Sequence, residues 1–189
     1  MYRKIAPSRS WIVYDDNPVM KQEIKDVTFP LTKEDEEIVL KMRSYIDASF
    51  DDKGKKYDIQ PGIGIAAIQL GYPKKIIYIR LMQDNQEKKY LLANPKKISE
   101  STKKMYLSAG EGCLSVKKNH KGYSIRKAIV IVEGIDLLNN NKKITVRADG
   151  LLAACFQHEL DHNNNMFYYN RINKNNPYYT EKDWVSLDR

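Results

Sequence analysis

The stretch His158-Glu159-Leu160-Asp161-His162 constrains this chain more than any other. Histidines four positions apart share a face on a helix, where both imidazoles can grip one ion. The residues upstream fit a helix with a buried side. Leu151, Leu152, Ala154, Cys155 and Phe156 precede the histidines, so the segment from Asp149 to about Asn164 is expected to be helical. Two histidines flanking acidic residues can also be plain surface, but that apolar run buries the same helix. Glu159 stands beside the first candidate ligand, where it can receive a proton from ion-activated water without binding the ion.

A catalytic metal site needs a third protein ligand and one open position. A third histidine six residues after His162 would mark one protease class, but that position is Tyr168. A glutamate further downstream would mark another, and Glu181 is available. The remaining candidate is Cys113, within Glu111-Gly112-Cys113-Leu114-Ser115, where the glycine permits close backbone approach. Cys155 lies in the apolar run of the helix and reads as packing.

A length of 189 residues with 42% hydrophobic content suits one domain, residues 1–189, with a real core. Met1-Tyr2-Arg3-Lys4-Ile5-Ala6-Pro7 lacks the apolar stretch of a signal peptide, and no apolar run approaches spanning length, so no membrane partner is expected. Two cysteines do not make a disulfide framework, which points to a reducing cytoplasm. The net charge of +8 would attract an RNA-rich surface. Yet Lys33, Lys53, Lys88, Lys117 and Lys142 are scattered along the chain, the pattern of a solvated surface, and no direct nucleic-acid specificity is expected.

Along the chain, Thr32 and Asp35 form a capping signal for a helix from Thr32 to Phe50, with Ile38, Val39, Met42 and Ile46 on its apolar face. Asp51 to Lys56 reads as a polar loop. Strands are expected at Ile76 to Met82, around Tyr90 to Ala93, and at Ile125 to Glu133. Asn139-Asn140-Asn141 predicts a hairpin into Ile144 to Arg147. Asn173 to Arg189 reads as a polar tail, poorly ordered or a short helix. The fold class is α+β, mostly antiparallel sheets around one central helix that carries the histidine motif.

Three segments, in one order, resemble the signatures of the peptide deformylases. Gly62-Ile63-Gly64-Ile65-Ala66-Ala67-Ile68-Gln69 is similar to the first, and Glu111-Gly112-Cys113-Leu114-Ser115 is identical to the second. Gln157-His158-Glu159-Leu160-Asp161-His162 matches the third. The segment before Gly62 and the loop from Asp84 to Lys89 resemble the longer bacterial subtype, and the resemblance runs from about Val19 to about Ile172.

The resemblance implies removal of the formyl group from the N-terminal methionine of newly synthesised polypeptides, with release of formate. It implies one divalent ion on Cys113, His158 and His162. That ligand set suits zinc on softness alone, whereas the family implies ferrous iron, with nickel, cobalt or zinc as substitutes. Glu159 becomes the proton carrier, and the Gln69 side-chain amide and the Leu114 backbone N–H become the oxyanion donors. Gly62, Ile63 and Gly64 would form an edge along which the peptide lies, with Glu111 and Gly112 also at the substrate. Ile63, Leu151, Ala154 and Cys155 are candidates for the methionine pocket, although ordinary core packing accounts for them equally well. Formylmethionyl nascent peptides are the implied partner, with the ribosome nearby. Two departures stand out: Ile68 where the family usually has proline, and Asn163-Asn164-Asn165 in place of a leucine-containing run ending in glycine. The first should cost stability modestly, and Asn165 can take the left-handed conformation of a helix stop.

Overall fold

The computed structural model describes residues 5–188. Residues 1–4, part of the stretch read above as lacking a signal peptide, and residue 189 of the polar tail lie outside them. The elements in order are helices α1 (Lys33–Phe50) and α2 (Gly54–Tyr57), then strands β1 (Gly64–Ala66), β2 (Ile76–Gln83), β3 (Gln86–Glu100) and β4 (Lys104–Leu107). Strands β5 (Arg126–Lys127), β6 (Ile129–Asp136) and β7 (Lys142–Asp149), helix α3 (Gly150–His162) and strand β8 (Val185–Leu187) follow. The fold is α+β. One sheet runs β1-β2-β3-β6-β7, antiparallel throughout; a smaller one runs β5-β4-β8, with β4 and β8 parallel.

Strand β2 organises the layers. Its run Ile76-Ile77-Tyr78-Ile79 is buried on both faces, and alternation sorts it into two cores. Ile76 and Tyr78 meet Ile38, Met42, Tyr45 and Ile46 of α1. Ile77, Ile79 and Leu81 meet Leu152, Ala153 and Phe156 of α3. Each such side chain contributes about 1.5–3 kcal/mol when fully buried. Helix α1 starts as its sequence predicts: the Thr32 hydroxyl accepts from the Asp35 N–H, and the Asp35 carboxylate accepts from the Thr32 N–H.

Four expectations need correction. The segment Asp51–Lys56 is not all loop, since Gly54–Tyr57 closes one helical turn. Strand β3 extends far beyond Tyr90–Ala93, because backbone pairing with β2 and β6 carries its lysine-rich ends. The strand expected over Ile125–Glu133 is two strands in different sheets, divided at Ala128, whose N–H bonds Lys103 O. The polar tail ends in β8, which pairs with β4 through Met105–Val185 and Leu107–Leu187. The hairpin stands as expected, with Asn140 and Asn141 at positive φ between β6 and β7.

Candidate metal centre

Helix α3 places the site. Asp149 makes no side-chain cap; the Gln83 carboxamide of β2 accepts from the Leu152 N–H at 2.9 Å instead, tying the helix start to the sheet. At its other end the chain turns through Asn165 at φ 54°, the left-handed stop expected there, and the Asn164 amide donates to Leu160 O. Asn163 is buried with both amide atoms unpartnered among the described residues. The Gln157 carboxamide accepts from and donates to the Lys127 backbone, clamping α3 to β5.

This clamp holds the helix under the loop carrying Cys113. The Cys113 thiol, one His158 nitrogen and one His162 nitrogen all lie within 4.8 Å of one another. The sulfur is 3.3 Å from His162 Nε2. Glu181 is exposed on the C-terminal segment and belongs to no metal-capable cluster among the described residues. Tyr168 faces the His158 ring in parallel, at 6.3 Å between centroids. Of the three candidates for a third ligand, the fold brings in only the cysteine.

Behind the histidines lies a buried ionic network that sequence reasoning missed. His158 Nδ1 donates to Glu111 Oε2 at 2.9 Å, which leaves Nε2 free to bind a metal. Arg126, with no exposed side-chain surface, donates to both oxygens of Glu111 and to Asp161. Arg171 grips Asp161 through two further bonds. Burial would raise the Glu111 carboxyl, but Arg126 more than offsets it and brings it down to about 2. Burial and the neighbouring His158 hold His162 well below the ordinary histidine value, so its ring is neutral and able to ligate. Asp161 sat in the motif as a spacer, and Arg126 carried no local signal. Their pairing exists only in three dimensions.

Glu159 is 3% exposed, its Oε2 has no hydrogen-bond partner among the described residues, and burial pushes its carboxyl up to about 7. Gln69 sits in a 3-10 turn after β1. Its Oε1 accepts from the Ala66 N–H at 2.8 Å, which turns Nε2 toward Cys113 Sγ at 3.5 Å. A cavity of about 180 Å³ opens onto these groups. Its lining includes Gly62, Ile63, Gly64, Gln69, Glu111, Gly112, Cys113, Leu114, Leu151, Ala154, Cys155, His158 and Glu159, together with Gln60, Pro61 and Leu107, which sequence reasoning did not single out. Gly64 is required by closeness: a Cβ there would stand 2.5 Å from Glu159 Oε1 and 2.8 Å from Cys155 Sγ. Ala154 and Cys155 are both core and cavity wall.

A thiolate and two imidazoles are soft and borderline donors that suit a divalent transition ion. Three such donors in mutual reach, two of them buried and His158 half-buried, next to a carboxylate oxygen without a hydrogen-bond partner among the described residues, fit a metal rather than an empty packing cluster. Fold and donor set together define a metal-dependent hydrolase. The chain matches the polypeptide deformylase family over residues 9–178. It is 67% identical to the peptide deformylase of Malacoplasma penetrans over 99% of this chain and 100% of that one, and 48% identical to that of Mycoplasma genitalium over 96% and 94%. A solved peptide deformylase of Synechococcus elongatus, in complex with actinonin, superposes with a TM-score of 0.66 at 27% identity, covering 91% of this chain and 89% of that one. The chain belongs to the peptide deformylase family, metalloenzymes that remove the N-formyl group from the N-terminal methionine of nascent peptides. No helix among the described residues is long and apolar enough to cross a membrane.

Proposed function

We propose that Cys113, His158 and His162 hold one divalent ion, ferrous iron first and zinc, nickel or cobalt as substitutes, and that residues 1–189 work as a single catalytic unit. The observation that carries this is the clustering of those three donors within 4.8 Å of one another, with Cys113 and His158 lining one cavity together with Glu159 and Gln69. When bound, such an ion would supply Lewis acidity, of the kind that lowers the pKa of water to about 7. Glu159 takes a proton from the attacking water and returns it to the departing amine nitrogen, so that the C–N bond breaks to give formate and a free N-terminus. The Gln69 amide and the Leu114 N–H donate to the oxyanion formed as water adds.

The substrate backbone adds to the free edge of β1 along Gly62, Ile63 and Gly64, a mode that tolerates varied side chains downstream. Its methionine enters the cavity between Ile63, Leu151, Ala154 and Cys155. Gly112 leaves room over the mouth, and Glu111 acts there by orienting His158. The enzyme works in the cytoplasm on chains leaving the ribosome. The test is Glu159→Gln: it should keep its metal content and melting temperature while formate release from a formyl-Met peptide is lost. Turnover at the wild-type rate would refute the assignment.

A further inference from the structure

The three-stranded sheet shows two unlike faces. Met105 and Leu107 of β4, with Val185 and Leu187 of β8, turn into the core, and Leu107 also lines the catalytic cavity. Alternation places Lys104 and Tyr106 on the opposite face, with Lys127 across from Lys104 and Ser186 across from Tyr106. There the Tyr106 ring packs on Tyr123 at 4.4 Å and 33°, and Tyr178 meets Tyr123 edge-on at 5.2 Å. Lys104 Nζ lies 4.7 Å from the centre of the Trp184 ring. Tyr178 is 55% exposed and Tyr179 43%, so rings that would gain by burial are held in water.

We propose that this outer face of the β5-β4-β8 sheet binds single-stranded RNA, with unpaired bases stacking on the tyrosines and phosphates meeting the lysines. Flat aromatic platforms accept any base, and a basic surround tracks the backbone. Lys103, Lys121 and Lys174 are exposed and flank β4, Tyr123 and Tyr178 in sequence. Glu100 is already paired with Lys97 and Lys127. Glu181 and Asp183 are exposed on the same C-terminal segment, but the chain as a whole carries +8. A peptide in the catalytic cavity meets the Leu107 side of β4, not the Tyr106 side, so RNA and formylated peptide do not compete.

Fluorescence anisotropy of a labelled oligouridylate of about 12 nucleotides, titrated with the metal-loaded protein at about 50 mM salt, tests this. Binding is expected to weaken with salt, with a log–log slope of about −0.7 per phosphate contacted. Tyr178→Ala and, separately, Lys104→Glu should each weaken it, the tyrosine change by about five- to a hundredfold, while formate release stays at the wild-type rate. Absence of binding would overturn the proposal, as would full binding by Tyr178→Ala. So would equal competition by heparin, which would reduce the interaction to charge alone. A raised KM for long formyl-peptides in Tyr178→Ala, with RNA binding unmoved, would assign the face to peptide and likewise overturn it.

Discussion

Arg126→Met removes the cation that Glu111 and Asp161 share behind the metal ligands. Methionine is similar in length, so the change leaves no large void; it leaves a carboxylate. Asp161 keeps Arg171 on both oxygens, whereas Glu111 keeps only His158. The cost is mainly that of one buried carboxylate without its counter-ion, about 3–5 kcal/mol. The titration of Glu111 gives a similar size, since a drop from 4.5 to about 2 corresponds to about 3 kcal/mol. Because the folded-state value is depressed, that stabilisation is complete above 4.5 and is lost as pH falls through about 2. The variant should therefore show its largest deficit at neutral pH, shrinking as acid neutralises Glu111. Urea unfolding at pH 7 and at about pH 3, with a chelator present so that metal affinity does not enter, measures both values. Adding Glu111→Gln to the variant should recover part of the loss, since a neutral amide needs no counter-ion. A deficit under about 1 kcal/mol at pH 7, or one equal at both pH values, would refute the reasoning.

Gln69→Ala should lower kcat about a hundred- to a thousandfold with little change in KM, read by formate release. An unchanged kcat would remove Gln69 from the reacting centre. Gly64→Ala pushes a Cβ into Glu159 and Cys155 and should cost about 1–3 kcal/mol of stability along with most turnover. Full activity would mean that β1 yields where the geometry says it cannot. Thr32→Ala should cost about 1 kcal/mol, a fall in Tm of about 2–4 °C by calorimetry. Burial would raise the Asp35 carboxyl, but the Thr32 contacts hold it below its ordinary 3.8, so this contribution stands above that pH and fades as pH falls through the lowered value.

The local signals that proved readable were those whose physics is local. Helix α1 announced its own start through Thr32 and Asp35, and α3 through apolar residues at helical spacing before His158. The Asn-rich hairpin and the left-handed stop at Asn165 follow from what an asparagine backbone tolerates. The segments that misled were those whose structure depends on distant partners. Strand β8 has no strong strand composition and exists because β4 offers it a free edge. The break at Ala128 exists because Arg126–Lys127 pair with β4 in one sheet while the strand from Ile129 pairs with β3 in the other, a competition no local pattern records.

Spacing along one helix was enough to set His158, Glu159 and His162 on a common side, because a helix converts sequence separation directly into direction. It left the third ligand open between a thiol and a carboxylate, since nothing local relates Cys113 or Glu181 to residues far along the chain. The tertiary structure brings the thiol, and not Glu181, beside the two imidazoles by folding the β4–β5 loop over α3 and holding it with the Gln157 clamp and the Glu111–Arg126–Asp161 pairs. Buried charges must find partners wherever the fold brings them, and that requirement is written in no local pattern.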